Sequence, residues 1–136
     1  QHRFLMQGQT EVHAGETLAA AKALTTLPKA REMKGKKQVA YIHFALDQHA
    51  VVFANGVPTE SCYLGETRLA DLSEFERARL TRLFPKIKAD SARGYGAPAR
   101  TIVPPARAEH LLATGQMRVA SSVPRKTTKT ARNLPL

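Results

Sequence analysis

The feature that most constrains the fold is the stretch from residue 39 to residue 61, VAYIHFALDQHAVVFANGVPTES. Its branched and aromatic side chains are typical of β-strands, and they predict strands over residues 39–46 and 50–53. Asn55-Gly56 is the strongest short-range signal for a β-hairpin, so a tight turn and a further strand from Val57 are expected. The first half of the chain is therefore predicted to be mainly β.

His43 lies in the middle of the first predicted strand. Alternation places Ile42, Phe44 and Leu46 on one side of that strand and His43 on the other. A histidine in this place is either a hydrogen-bonded core residue or an acid/base group. Spacing alone favours the core interpretation, because a histidine is only a probabilistic marker of a site.

The later part of the chain has a helical rather than an alternating pattern. Residues 71–85 are expected to form a helix, with Ser73 and Glu76 as a capping box at its start and Pro85 at its end. The apolar stripe of that helix is expected to cover a face of the sheet. Alanine and leucine content predicts two shorter helices, over residues 15–24 and 106–113.

Length and charge limit the class of protein. The 136 residues are enough for one domain, and no apolar run has the length of a membrane span. Cys62 is the only cysteine, which excludes an internal disulfide framework. The net charge of +10 is consistent with a basic module that binds nucleic acid or an anionic surface. The basic residues lack interleaved aromatic side chains, however, which favours a solvated, disordered tail from Gln116.

Several short motifs resemble the Hint superfamily, the Hedgehog/intein self-processing fold. The resemblance is carried by residues 39–61, by YLG at 63–65 and by LFP at 83–85. FANGVP at 53–58 is similar to the motif that closes the β-horseshoe of that fold. QHRFLM at the start resembles the block in which a histidine opens a strand. YGAPART at 95–101 resembles the tail of the bacterial Hedgehog-type branch, whose members are secreted or lie at the cell surface.

The resemblance implies a mainly β chain, a Hint-type β-horseshoe fragment with a C-terminal helical appendage, α+β overall. Residues 1–65 would be the C-terminal part of the Hint β domain. Residues 66–115 would be a helical and loop appendage, and residues 116–136 a basic disordered tail. The chain starts at the block that holds His2, so the segment with the nucleophile is expected to be missing.

The activity that the resemblance implies is autoprocessing without a cofactor. In this family a cysteine or serine at the first position of the domain attacks the preceding carbonyl and forms a thioester or ester. By position, His2 would protonate the departing amide nitrogen, and His43 would be a second acid/base or orienting group. The partner would be the chain's own upstream polypeptide, and the fragment alone is expected to be inactive. Glu60-Ser61 stands where splicing inteins carry His-Asn, so protein splicing is not expected.

Other interpretations of these residues stay open. Without the resemblance, His2 is an exposed terminal histidine with no role. His49 is expected to be a turn residue hydrogen-bonded to Asp47. A zinc site from His43, His49 and Cys62 matches no structural zinc spacing, so no metal site is predicted. The last alternative is a non-catalytic remnant that packs against a partner.

Overall fold

The computed structural model describes residues 2–35, 37–40, 42–89 and 94–120. The strands in this part of the chain are β1 Arg3–Gly8, β2 Glu16–Ala20, β3 Val51–Ala54, β4 Val57–Glu60, β5 Thr101–Val103 and β6 Met117–Val119. The α-helices are α1 Glu66–Ala70, α2 Glu74–Leu83, α3 Pro85–Ala89 and α4 Pro105–Ala113, and 3-10 helices cover Glu11–His13 and Ala21–Thr26. None of the described helices is both long enough and apolar enough to cross a membrane.

The described strands form one sheet that is organised around β1. One side of β1 pairs antiparallel with β2, while the other side is shared by β4 at its beginning and β6 at its end. β5 extends the sheet parallel to β2, and β3 extends it antiparallel to β4. This sheet and its accompanying helices confirm the expected mainly β fold with a helical appendage.

The main hydrophobic core lies between the sheet and α4. Alternate residues of β1 face it, as the pleat requires. Each large aliphatic or aromatic side chain buried there stabilises the fold by about 1.5–3 kcal/mol. The buried members of this core are Phe4, Met6, Ala19, Ala23, Val103, Ala108, Leu111, Leu112 and Met117.

A second core belongs to the helices that follow the β3–β4 hairpin. Its buried side chains are Leu64, Leu69, Ile87 and Tyr95. Cys62 and Tyr63 pack against this second core, so it continues directly from the end of β4.

Two of the local predictions are wrong. Residues 15–24 do not form a helix, since Glu16–Ala20 is β2 and Ala21–Thr26 is a 3-10 helix. β2 is paired on both sides, by β1 and β5, and this pairing outweighs the helix propensity of its alanines. The strand predicted over residues 39–46 is also absent from the described residues 39–40 and 42–46. No neighbouring strand is paired with them, and Ile42 is 82% exposed.

The capping box of α2 is confirmed, but its predicted packing is wrong. Ser73 Oγ accepts a hydrogen bond from the Glu76 N–H, and the Glu76 carboxylate accepts one from the Ser73 N–H. No residue of α2 is buried, and Phe75 is 70% exposed. Leu80, together with Leu72 just before the helix and Phe84 just after it, packs against the second core, so α2 does not cover the sheet.

The end of the described chain also differs from the prediction. The helix expected at residues 106–113 is confirmed as α4. The disorder expected from Gln116 is wrong for Met117–Val119, which forms β6 and pairs with β1. The rest of the expected basic tail, residues 121–136, lies outside the described residues. Because β5 and β6 both come from beyond residue 65, the sheet continues across the boundary expected there.

Candidate functional site

The β3–β4 hairpin brings residues 60–62 to the beginning of β1. Its turn residues Asn55 and Gly56 have φ angles of 49° and 78°, the positive values that a type I′ turn requires at both central positions. The register then runs from Ala54 opposite Val57 to Val51 opposite Glu60. The hairpin signal in the sequence is therefore confirmed, and it delivers Glu60 to the place where β4 meets β1.

Backbone hydrogen bonds attach residues 44–50 to the end of this hairpin, although they form no strand. The N–H of Ser61 donates to the carbonyl of Ala50 at 2.9 Å, and Ser61 Oγ accepts from the Ala50 N–H at 3.1 Å. The N–H of Cys62 donates to the carbonyl of Phe44 at 2.8 Å. Ser61 is almost completely buried, so its hydroxyl has a structural role.

The structure brings together the two histidines predicted as site residues. The rings of His2 and His43 are stacked, with 4.6 Å between centroids and 4° between planes. The carbonyl of His2 accepts a hydrogen bond from the Ala21 N–H at 2.9 Å, which fixes its backbone. The core interpretation of His43 is wrong, because both residues are exposed at the surface.

The stacked rings line a cavity of about 840 Å³. Slight desolvation of its ring lowers the pKa of His43 although the residue is exposed, and the positive charge of a protonated His2 lowers it further. Two positive charges at this separation repel each other by about 1 kcal/mol in water-like surroundings. His43 is therefore biased towards the neutral form, which can accept a proton. Other lining residues with polar or reactive groups include Arg3, Glu60, Cys62, Glu66, Arg68 and Asp71.

His49 lies in a buried network next to this cavity rather than in an exposed turn. Its Nδ1 accepts a hydrogen bond from the Ala99 N–H at 3.0 Å. Its Nε2 lies 3.3 Å from Glu60 Oε2, a contact that is not aligned as a hydrogen bond. Nη1 of Arg3 donates to both oxygens of the same carboxylate at 3.1 and 3.0 Å. Burial is the main reason why the pKa of His49 is lowered, and it outweighs the opposing effect of Glu60.

Two tyrosines close the network from the side of residues 94–99. The Tyr63 ring packs on His49 with centroids 4.9 Å apart, and its hydroxyl donates to the Gly96 carbonyl at 3.1 Å. The Tyr95 hydroxyl donates to the Leu46 carbonyl at 2.7 Å. Burial raises the pKa of Tyr95, so this hydroxyl remains a donor at neutral pH.

Sequence reasoning missed the network although it named some of its members. It placed His49 in a turn beside Asp47, and it treated Glu60 only as the occupant of a splicing position. The one available signal was that His49 directly precedes the apolar run of residues 50–53. The pairing of Glu60 with Arg3 spans 57 residues and has no local signature.

The described residues contain no group of three or more histidine, cysteine, aspartate or glutamate side chains that could hold a metal ion. In the zinc set considered above, Nδ1 of His49 is occupied by the Ala99 N–H. The stacked rings of His2 and His43 line the same cavity as the Arg3–Glu60 ion pair.

Comparison with known proteins gives one match. No curated protein and no solved structure matches the chain. The family model described as the Hint domain matches residues 1–66, which include β1 to β4 and both stacked histidines. The match supports a Hint domain, the self-processing family that the sequence motifs resemble, over this part of the chain.

Proposed function

We propose that residues 1–66 are the C-terminal part of a Hint domain of the bacterial Hedgehog type, which cleaves the peptide bond upstream of the domain. The observation that carries this proposal is the stack of His2 on His43 beside a cavity, within the residues that match the family. Neither histidine contributes to the hydrophobic cores, since both are exposed. Two histidines at a surface cavity fit a reaction that needs two proton transfers.

The reaction divides into an acyl shift and a hydrolysis. A thiol or hydroxyl of the upstream polypeptide attacks the carbonyl carbon ahead of it, and a carbon–sulfur or carbon–oxygen bond replaces the carbon–nitrogen bond. One imidazole takes the proton lost by the nucleophile, and the other gives a proton to the amide nitrogen. Exchange with solvent then returns both rings to their starting forms. Water then cleaves the thioester or ester to a carboxylic acid and regenerates the nucleophile.

In this scheme His43 accepts protons and His2 donates to the departing nitrogen. The lowered pKa of His43 supports its part, because a neutral imidazole is the form that takes a proton from the nucleophile. Acid/base groups of this kind contribute about 10²–10⁴-fold to a rate. The upstream polypeptide is then both substrate and source of the nucleophile, and the 136-residue chain alone is inactive.

Protein splicing is not part of the proposed activity. Asparagine cyclisation would need an asparagine at the end of the hairpin, where this chain has Glu60 and Ser61. The carboxylate of Glu60 is engaged by Arg3, and the hydroxyl of Ser61 by the Ala50 N–H. Both residues therefore support the local structure instead of a second cleavage.

The test is a precursor in which the upstream polypeptide, with its cysteine or serine, is joined to residue 1. Intact mass spectrometry follows its cleavage with and without added thiol. We expect His2→Gln and His43→Gln to slow cleavage by about 10²–10⁴-fold. His110→Gln, on the exposed surface of α4, is the matched control and is expected to cleave at the wild-type rate. An uncleaved wild-type precursor, or a His43→Gln precursor as fast as wild type, would contradict the proposal.

A further inference from the structure

Glu60 is a buried carboxylate for which the proposed chemistry has no use. Its side chain is 6% exposed, although an unpaired charge at such a depth costs several kcal/mol. Arg3 compensates the charge by placing Nη1 at 3.1 and 3.0 Å from the two oxygens. The Arg3 side chain is 23% exposed, so the pair extends from the interior towards the cavity surface.

His49 faces the carboxylate of Glu60. Because Nδ1 of His49 accepts from the Ala99 N–H, the proton of the neutral ring is on Nε2. Nε2 is the atom that lies 3.3 Å from Glu60 Oε2, and the His49 side chain is completely buried. The carboxylate is thus confined between a cation and the N–H of a fixed neutral imidazole.

Residues 59–62 fix the backbone next to both stacked histidines. Arg3 follows His2 directly, and its carbonyl accepts a hydrogen bond from the Thr59 hydroxyl. Phe44 follows His43 directly, and its carbonyl accepts from the Cys62 N–H at 2.8 Å. Residues 59–62 therefore hold the immediate neighbour of each histidine, and Glu60 supplies the only charged side chain among them.

We propose that Glu60 is a positioning residue that, through Arg3 and supported by His49, holds His2 in face-to-face contact with His43. Its importance for the reaction rests on the proposed function, whereas its effect on the ring stack does not. The proposal gives Glu60 no proton transfer, because Arg3 donates to both of its oxygens. A displacement of about 1 Å at a reacting group can cost about 100-fold in rate, so a small movement of His2 matters.

The experiment compares Glu60→Gln with Glu74→Gln, a matched change at the exposed first turn of α2. Nuclear Overhauser contacts between the rings of His2 and His43 are measured in the 136-residue chain, together with thermal unfolding. We expect Glu60→Gln to lose these contacts while remaining folded, and Glu74→Gln to keep them. If Glu60→Gln does not fold, Arg3→Gln removes the same ion pair from its more exposed partner and is read in the same way.

The cleavage of the precursor provides the second readout. We expect Glu60→Gln to lower the rate by about 100-fold at every pH without changing the shape of the pH–rate profile. Glu60→Asp, which keeps the charge, is expected to restore part of the rate. Ring contacts that persist in folded Glu60→Gln would overturn the proposal. A pH–rate profile that loses one of its limbs would also overturn it, because Glu60 would then exchange a proton in the reaction. If the contacts are lost but the wild-type precursor is not cleaved, Glu60 positions the stack and the proposed function fails.

Discussion

The histidines around residues 59–62 occupy two contrasting environments. His2 and His43 are exposed and stacked, with ring centroids 4.6 Å apart. His49 has a completely buried side chain, with Nδ1 bound to the Ala99 N–H and Nε2 facing Glu60. The difference teaches that position decides what an imidazole can do: an exposed ring is accessible to a substrate, whereas a buried ring contacts only its neighbours in the fold.

The largest expected effect on stability is the loss of Glu60, which lies between Arg3 and the buried His49. Glu60→Ala leaves Arg3 without its carboxylate and removes the group that faces His49. Because breaking a buried pair leaves an uncompensated charge, we expect the free energy of unfolding to fall by about 3 kcal/mol. Urea unfolding measures this loss. The control Glu74→Ala removes an exposed carboxylate. An equal loss in both variants would show that the buried network stabilises the fold no more than an exposed carboxylate does.

The second largest effect is expected in acid, where the buried His49 should lower the stability of the protein. The pKa of His49 is lowered from 6.5 in the folded protein, so below about pH 6.5 the unfolded chain binds a proton that the folded chain does not. The free energy of unfolding should therefore decrease as the pH falls, by at most about 1.4 kcal/mol per pH unit for this one group. His49→Gln should reduce that slope. Urea unfolding at a series of pH values would contradict the account if the slope were unchanged.

The smallest effect is expected at the exposed pair. His43→Gln removes no buried contact, so the free energy of unfolding should change by no more than about 0.5 kcal/mol. The same variant is expected to lose cleavage of the precursor, which separates stability from activity. A loss of 2 kcal/mol or more would contradict this prediction, because leaving a buried polar group without its partner costs about 1–3 kcal/mol. His43 would then have a structural role like that of His49.

Features with a local physical cause could be predicted from the sequence. The Asn55-Gly56 turn depends on two residues that tolerate positive φ, and the α2 cap depends on Ser73 and Glu76 three residues apart. His2 and His43 were selected through family resemblance, and the structure stacks them. Nothing local in the sequence brings His2 and His43 together, because residues 59–62 place their neighbours.

Features that depend on distant pairing could not be predicted. Residues 16–20 have the composition of a helix, yet β1 and β5 on either side make them a strand. Residues 39–46 have the composition of a strand, yet their described part lacks a partner strand and remains irregular. Propensity for either structure is smaller than the free energy of such long-range contacts, so tertiary pairing decided both cases.

The most direct test of the central claim is a histidine titration by nuclear magnetic resonance, from about pH 5 to about pH 8. The account predicts that the ring of His43 titrates below its ordinary pKa of 6.5, and that His2→Gln raises this pKa by removing the neighbouring charge. His49 should also have a pKa below 6.5, with the neutral Nε2–H tautomer as its deprotonated form. A His43 pKa that is the same with and without His2 would show that the two rings do not act as a pair, and would contradict the account.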